Sequence, residues 1–269
     1  MAEGRASFTG TMPEYYDRYL GPAFFGAFAE DLAHRLPTRP AGSVLEIACG
    51  TGLVTRRLRE RLDPSVRLVA TDLSKPMLDY ARGKLGESKG IEWREADACK
   101  LPFAAGEFGA VVCAFGVMFV PDKPVAFSEV RRVLKDGGTF LFNVWDRIEA
   151  VPHGLVSAQV IEEMFPGDKE MQFTTPYEMH DPALLRKLLS GARFEAVHIE
   201  TKRIQIDRVS ARSIAIGLIR GTPRSLLIEK RGVSLDEAIE KSTAALTKLG
   251  GAEPFRGPTQ AVVVEARAR

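Results

Sequence analysis

Apolar positions along the chain fall into short continuous runs, separated by stretches in which they recur at helical spacing. The runs lie at residues 44–49, 66–71, 110–114 and 139–145, and a further strand is read at 91–95, where Ile91 and Trp93 alternate with charged residues. Each is the length of a buried strand, whereas the intervening stretches at 53–62 and 122–134 read as helices. This alternation predicts an α/β, Rossmann-like doubly wound sheet, mostly parallel, with helices on both faces. Ligands of such sheets bind at the carboxyl ends of the strands. Further along, residues 210–249 carry a helical pattern broken at Gly221-Thr222-Pro223 and at Gly232. The apolar stretch continuing from 110–114 through Phe115 to Pro121 is too short to cross a bilayer.

The first run ends in chemistry. Val44-Leu45-Glu46-Ile47-Ala48-Cys49 leads into Gly50-Thr51-Gly52 and then a helix. Glycines without Cβ let a ligand approach the backbone, and the helix start offers unpaired N–H groups. A dinucleotide fingerprint would place a third glycine where Thr55 stands. The second run ends at Asp72, about twenty residues past the turn, where a carboxylate can accept from ribose hydroxyls. Ser74 is positioned as an N-cap and Pro76 in the first helical turn, which sets Leu73 and Met77 on the adenine side. Asp122 can cap the helix at 122–134, with Gly137-Gly138 as its breaker.

Glu46 with the G-T-G turn resembles motif I of class I S-adenosylmethionine (SAM) dependent methyltransferases, E-x-G-x-G-x-G, with Ala48 in the place of the first glycine. The segments 115–122, 131–138 and 142–146 look like the methyltransferase type 11 and 25 group, so the resemblance covers about residues 44–146. It implies SAM as cofactor, with Glu46, Ala48, Gly50, Gly52, Asp72, Leu73, Met77, Asp97 and Ala98 around it. Asp97 would accept from the adenine amino group. One departure is Gly109 after Phe108, where the group often carries an aspartate; Glu107 stands beside it. The resemblance also implies a C-terminal antiparallel hairpin, for which 195–206 and 261–266 are the candidates. The helical stretch at about 209–250 would then be a lid over the cofactor mouth.

The expected organisation is therefore one domain over 1–269: a helical cover at 1–40, a SAM-binding core at 41–146, and the remaining sheet with its lid at 147–269. The aromatic-rich part of the cover is 13–36. A hydrophobic fraction of 45% and a charged fraction of 27% suit a soluble globular chain. The N-terminus has no basic stretch followed by an apolar core, so no secretory signal is expected. Cys49, Cys99 and Cys113 show no C-x-x-C spacing, which favours a reducing cytoplasm. Four scattered histidines argue against a metal site. The net charge of +2 gives no general pull toward nucleic acid, although residues 202–231 hold eight basic side chains against two acidic ones. No aromatic residues interleave that stretch, so nucleic acid is an unlikely partner.

The chemistry the resemblance implies is in-line displacement at a sulfonium methyl, which rests mainly on alignment of the reactants. A phenol or carbon nucleophile would use a general base, for which His153, beside Pro152 and Gly154 in a loop, and His180, before Asp181-Pro182, are the candidates. Tyr19 and Phe115 could face the sulfonium, and Trp145 could wall the acceptor pocket. The expected partner is a small organic methyl acceptor, aromatic or quinone-like by analogy. Three alternatives stay open: a SAM-binding protein without methyl transfer, an NAD-dependent oxidoreductase and an RNA methyltransferase.

Overall fold

A computed structural model of the chain describes residues 8–86 and 90–269. Its centre is a seven-stranded sheet in the order β3-β2-β1-β4-β5-β7-β6. The first five strands are parallel: β1 (Ser43–Glu46), β2 (Leu68–Asp72), β3 (Ile91–Glu95), β4 (Phe108–Ala114) and β5 (Leu134–Trp145). The last two, β6 (Phe194–Ile206) and β7 (Gly257–Ala268), pair antiparallel, and β7 also runs antiparallel to β5. Strands covered on both faces must be apolar throughout. Accordingly β2 is buried at every position, while the edge strand β3 becomes exposed toward its end.

The chain winds from β1 outward through β2 to β3, then crosses back to β4 on the other side of β1. The carboxyl ends of β1 and β4 therefore flank a topological switch point, the crevice where ligands bind in this architecture. The helices α3 (Leu53–Arg61), α4 (Lys75–Leu85) and α5 (Lys123–Val133) make the crossovers and are followed by α6 (Pro152–Met164) and α7 (Pro182–Gly191). Asp122 caps α5, its Oδ1 accepting from the Val125 N–H at 3.1 Å.

Two helical covers accompany the sheet, and only the N-terminal one contributes residues to the cavity at the switch point, so the stretch at 209–250, expected as a lid over the cofactor mouth, does not line it. The N-terminal one is a helical run of α1 (Met12–Tyr15), a π-helical stretch (Tyr16–Phe25) and α2 (Gly26–Arg35). Pro22 lies inside the π-helical stretch and has no N–H to donate, and the Gly26 N–H reaches back five residues to the Gly21 carbonyl. The second cover, between β6 and β7, consists of α8 (Ala211–Arg220), α9 (Arg224–Lys230) and α10 (Leu235–Gly250). Its breaks fall at Gly221-Thr222-Pro223 and around Gly232, and α8 packs on the π-helical stretch. No helix among the described residues is long and apolar enough to cross a membrane.

One local expectation needs correction, and one departure from the family pattern finds its reason. Gly137-Gly138 does not end a helix, because α5 stops at Val133 and β5 starts at Leu134 and runs through both glycines. Gly137, at φ +74°, lets the strand shift register there against β4. Gly109 has a steric reason: a Cβ at that position would lie 2.7 Å from the Gly42 nitrogen, which leaves no room for an aspartate.

Candidate functional site

The loop after β1 is clamped between its two neighbouring strands. The Ile47 N–H donates to the Val112 carbonyl (3.0 Å) and the Cys49 N–H to the Thr71 carbonyl (2.9 Å). This forces a tight turn in which Ala48 (φ +52°) and Gly50 (φ +55°) adopt left-handed conformations. Phe115, at the end of neighbouring β4, is also left-handed (φ +51°). Strained non-glycine residues on both sides of one crevice are characteristic of ligand sites.

Asp72 ties the turn to β2. Its Oδ2 accepts from the Gly50 N–H and its Oδ1 from the Ser74 N–H, each at 2.7 Å. Burial raises its pKa, and the backbone donors of Ser74, Gly50 and Leu73 pull it partly back. Ser74 stands at the N-cap of α4, but its side chain makes no capping bond there; Asp72 takes up its backbone N–H instead. Glu46 is 1% exposed, and burial lifts its pKa to about 8, with the Asp72 charge acting in the same direction. Its Oε2 has no hydrogen-bond partner among the described residues.

These groups line a cavity of about 560 Å³ at the strand ends. Of the residues expected around a cofactor, Glu46, Ala48, Gly50, Asp72, Leu73, Met77, Asp97, Ala98 and Phe115 all line it. Gly50 faces open space, since a Cβ there would meet nothing within 4 Å. Gly52 and Tyr19 do not line the cavity. Gly52 is where α3 meets α4, and a Cβ on it would come within 3.0 Å of Leu85 and 3.1 Å of Ala81. Tyr19 stacks on Tyr15 at 5.9 Å. Tyr16 and Phe25, stacked at 4.9 Å, occupy the position expected of Tyr19. The π-helical register that presents them is not encoded in a 3.6-residue pattern.

A second chamber of about 110 Å³ adjoins the first, and Tyr16, Phe25, Phe115 and Phe119 line both. Trp145 walls it, 4.3 Å from Phe115 between ring centroids. His153 also lines it, from the first turn of α6 and not from a loop as expected. Its ring stacks on Phe24 at 4.4 Å, and its Nε2 meets Thr259 Oγ1 at 3.1 Å. Burial depresses its pKa to about 3, so the ring is neutral and only weakly basic. His180 lies outside both cavities, with Nδ1 2.7 Å from the Tyr177 carbonyl just before α7. The sequence reading did not single out Ser157 and Tyr177, and it counted Arg224 only as part of a basic run; all three line the chamber. Nothing in the local pattern marks them, because they converge from α6, the Thr175–Tyr177 turn and α9.

The basic excess at 202–231 is compensated in part, four of its eight basic side chains being paired with acids from outside the stretch. Lys202 pairs with Asp31 (2.9 Å), Arg212 with Glu240 (2.6 Å), Arg220 with Asp236 (2.8 Å), and Arg231 with Asp168 and Glu170. Most of these acids lie far away in sequence, so a local window could not show the neutralisation.

The methyltransferase domain family model matches residues 45–142, from β1 into β5. Demethylmenaquinone methyltransferase of Lactococcus lactis is 40% identical over 98 residues, which are 36% of this chain and 39% of that protein. The chain thus matches about two fifths of the length of such curated relatives. Among solved structures, phosphoethanolamine N-methyltransferase 2 of Haemonchus contortus in complex with S-adenosyl-L-methionine superposes with a TM-score of 0.62 at 17% identity, covering 97% of this chain and 58% of that one. The cyclase SpnF superposes with a TM-score of 0.54 at 20% identity, covering 90% and 80%. Such identities establish the shared fold, and the sequence match falls on the turn, Asp72 and Asp97. The stretch from β1 into β5 accordingly resembles the type 11 group of class I SAM-dependent methyltransferases, and the resemblance covers residues 45–142.

Proposed function

We propose that the chain transfers a methyl group from SAM to a small organic acceptor, within one domain closed by the two covers. The observation that carries this reading is the junction of two cavities at Tyr16, Phe25, Phe115 and Phe119. One is built of polar turn and strand ends, the other of aromatic rings. SAM fits the first. Each Asp72 oxygen has a lone pair left for a ribose hydroxyl, Leu73 and Met77 flank an adenine within reach of Asp97, and the open face of Gly50 admits the amino-acid portion. Glu46 supplies an unpartnered carboxyl oxygen on the same side.

The acceptor attacks the methyl carbon in line; the carbon–sulfur electron pair stays on sulfur and the acceptor loses a proton. The protein's part is to hold acceptor and methyl in attack geometry, an effect worth about 7–11 kcal/mol. The aromatic chamber supports a ring-bearing acceptor, and the names of the demethylmenaquinone methyltransferases point the same way. The matched region ends at residue 142, however, before Trp145, His153, Tyr177 and Arg224. The acceptor is therefore proposed as a class and not as that quinone. Free Cys49, Cys99 and Cys113 support a reducing compartment, the cytoplasm.

Titration calorimetry with SAM, S-adenosylhomocysteine (SAH) and NAD tests the cofactor, and transfer of labelled methyl to a panel of aromatic acceptors tests the reaction. Binding of both sulfur ligands with acceptor turnover supports the proposal; binding of NAD alone overturns it. The weak basicity of His153 favours one second reading, a SAM-binding protein without methyl transfer. That protein would bind SAM and SAH and methylate nothing.

A further inference from the structure

Arg224 reaches from the start of α9 into the aromatic chamber. Its Nη1 donates to Ser157 Oγ at 2.9 Å, and its guanidinium lies 5.7 Å from the centroid of the Phe173 ring. Its Nε is buried with no hydrogen-bond partner, and no carboxylate among the described residues pairs with it. The contrast with its neighbours is sharp: Arg212, Arg220 and Arg231 of the same cover all pair with acids. The Tyr177 phenol interacts with it electrostatically, but burial pushes the phenol's pKa up to about 12, so it stays neutral.

An enclosed guanidinium is unfavourable without a counter-charge; burial pulls the Arg224 pKa down from its ordinary value, yet an arginine keeps its proton in proteins and so keeps its charge. A ring face and one hydroxyl do not neutralise it. Its fork of N–H donors matches a carboxylate in two parallel hydrogen bonds. The chamber is small and most of its wall is aromatic or aliphatic, with His153, Ser157, Tyr177 and Thr222 as further polar groups but no second cation among the described residues, which suits a planar ring bearing one negative charge better than a phosphate ester with two.

We propose that the methyl acceptor is a small aromatic acid whose carboxylate pairs with Arg224, with Ser157 and Tyr177 beside it, and whose ring lies against Phe24 and Trp145. This rests on the methyl-transfer reading above. It also separates this chain from enzymes acting on neutral quinols, which would leave Arg224 unpaired.

The test measures binding of 3,4-dihydroxybenzoate and its neutral carboxamide, with and without saturating SAH, to the wild-type chain and to Arg224→Met and Arg224→Lys. SAH affinity of the variants reports whether the fold and the cofactor cavity are intact. The expected result is an acid preferred over its amide by about 10- to 100-fold in the wild type. That preference should vanish in Arg224→Met and partly survive in Arg224→Lys, with SAH affinity unchanged. Equal binding of acid and amide to the wild type, no binding of either, or a preference that survives Arg224→Met would overturn the inference. Failure of SAH to bind would instead overturn the methyl-transfer reading, while the acid-to-amide ratio measured without SAH would still decide the role of Arg224.

Discussion

The methyl group of Ala48 occupies space that Gly116 leaves open: a Cβ built on Gly116 would lie 2.5 Å from Ala48 Cβ and 2.7 Å from Cys113 Sγ. The alanine in the first glycine position of the turn is thus accommodated by a glycine across the crevice, after β4. Gly116→Ala should destabilise the fold by about 1–3 kcal/mol through overpacking. Ala48→Gly alone should change stability by less than about 1 kcal/mol, since relief of the left-handed conformation is offset by greater freedom of the unfolded chain. The double variant should recover part of the Gly116→Ala loss, the remainder being the contact with Cys113. Urea denaturation of the four proteins measures this coupling; purely additive effects would contradict it.

Asp72 holds Gly50 and Ser74 and still has lone pairs for ribose. Asp72→Ala should weaken binding of SAM and SAH equally, by about 1–3 kcal/mol, because both carry the ribose. Calorimetry checks this on a variant whose circular dichroism is unchanged. A folded variant with wild-type affinity would remove Asp72 from the ribose site.

Much of this site is legible in the chain because it is local. Parallel strands buried on both faces produce continuous apolar runs, so β2 and β4 fall where the runs at 66–71 and 110–114 lie. The turn, Asp72 and Asp97 follow at strand ends because the fold brings strand ends together. The second chamber is legible only in part: Trp145 and His153 stand out in the sequence, whereas Ser157, Tyr177 and Arg224 come from three segments that meet only in the folded chain. Tyr16 and not Tyr19 lines the cavity, and the π-helical stretch that presents it has no signature in the local residue pattern. The start of β5 at Leu134 is hidden in the sequence because glycines that permit a register shift look the same as glycines that end a helix.

Glu46 links stability and binding to pH. Its carboxyl has an ordinary value of 4.5 and rises to about 8 in the fold, so the folded chain holds this proton more tightly than the unfolded chain does. The contribution to stability is full below about pH 4.5 and is lost as pH rises to about 8, with a slope of at most about 1.4 kcal/mol per pH unit. Glu46→Gln should flatten this part of the pH–stability curve. A cationic ligand beside Glu46 should favour its ionised form, so SAM should release a proton on binding at pH 7, and the variant should not. Calorimetry in buffers of different ionisation enthalpy reads the proton count; equal release by wild type and variant would place the titration elsewhere.

Gly50 and Gly52 share a left-handed backbone but differ in what surrounds them, and this predicts opposite phenotypes. Both lose about the same backbone energy on replacement by alanine, roughly 1 kcal/mol. At Gly52 the new methyl would also press on Leu85 and Ala81, at 3.0 and 3.1 Å, and would wedge α3 from α4. At Gly50 it would meet no protein atom within 4 Å and would project into the cavity assigned to SAM. Gly52→Ala should therefore lower the melting temperature more than Gly50→Ala does, while Gly50→Ala should show the larger loss of SAM affinity among folded molecules. Thermal melts of the apo proteins and SAM titrations well below the melting temperature separate the two effects. If Gly50→Ala binds SAM as the wild type does, the amino-acid portion of the cofactor does not approach the turn at Gly50.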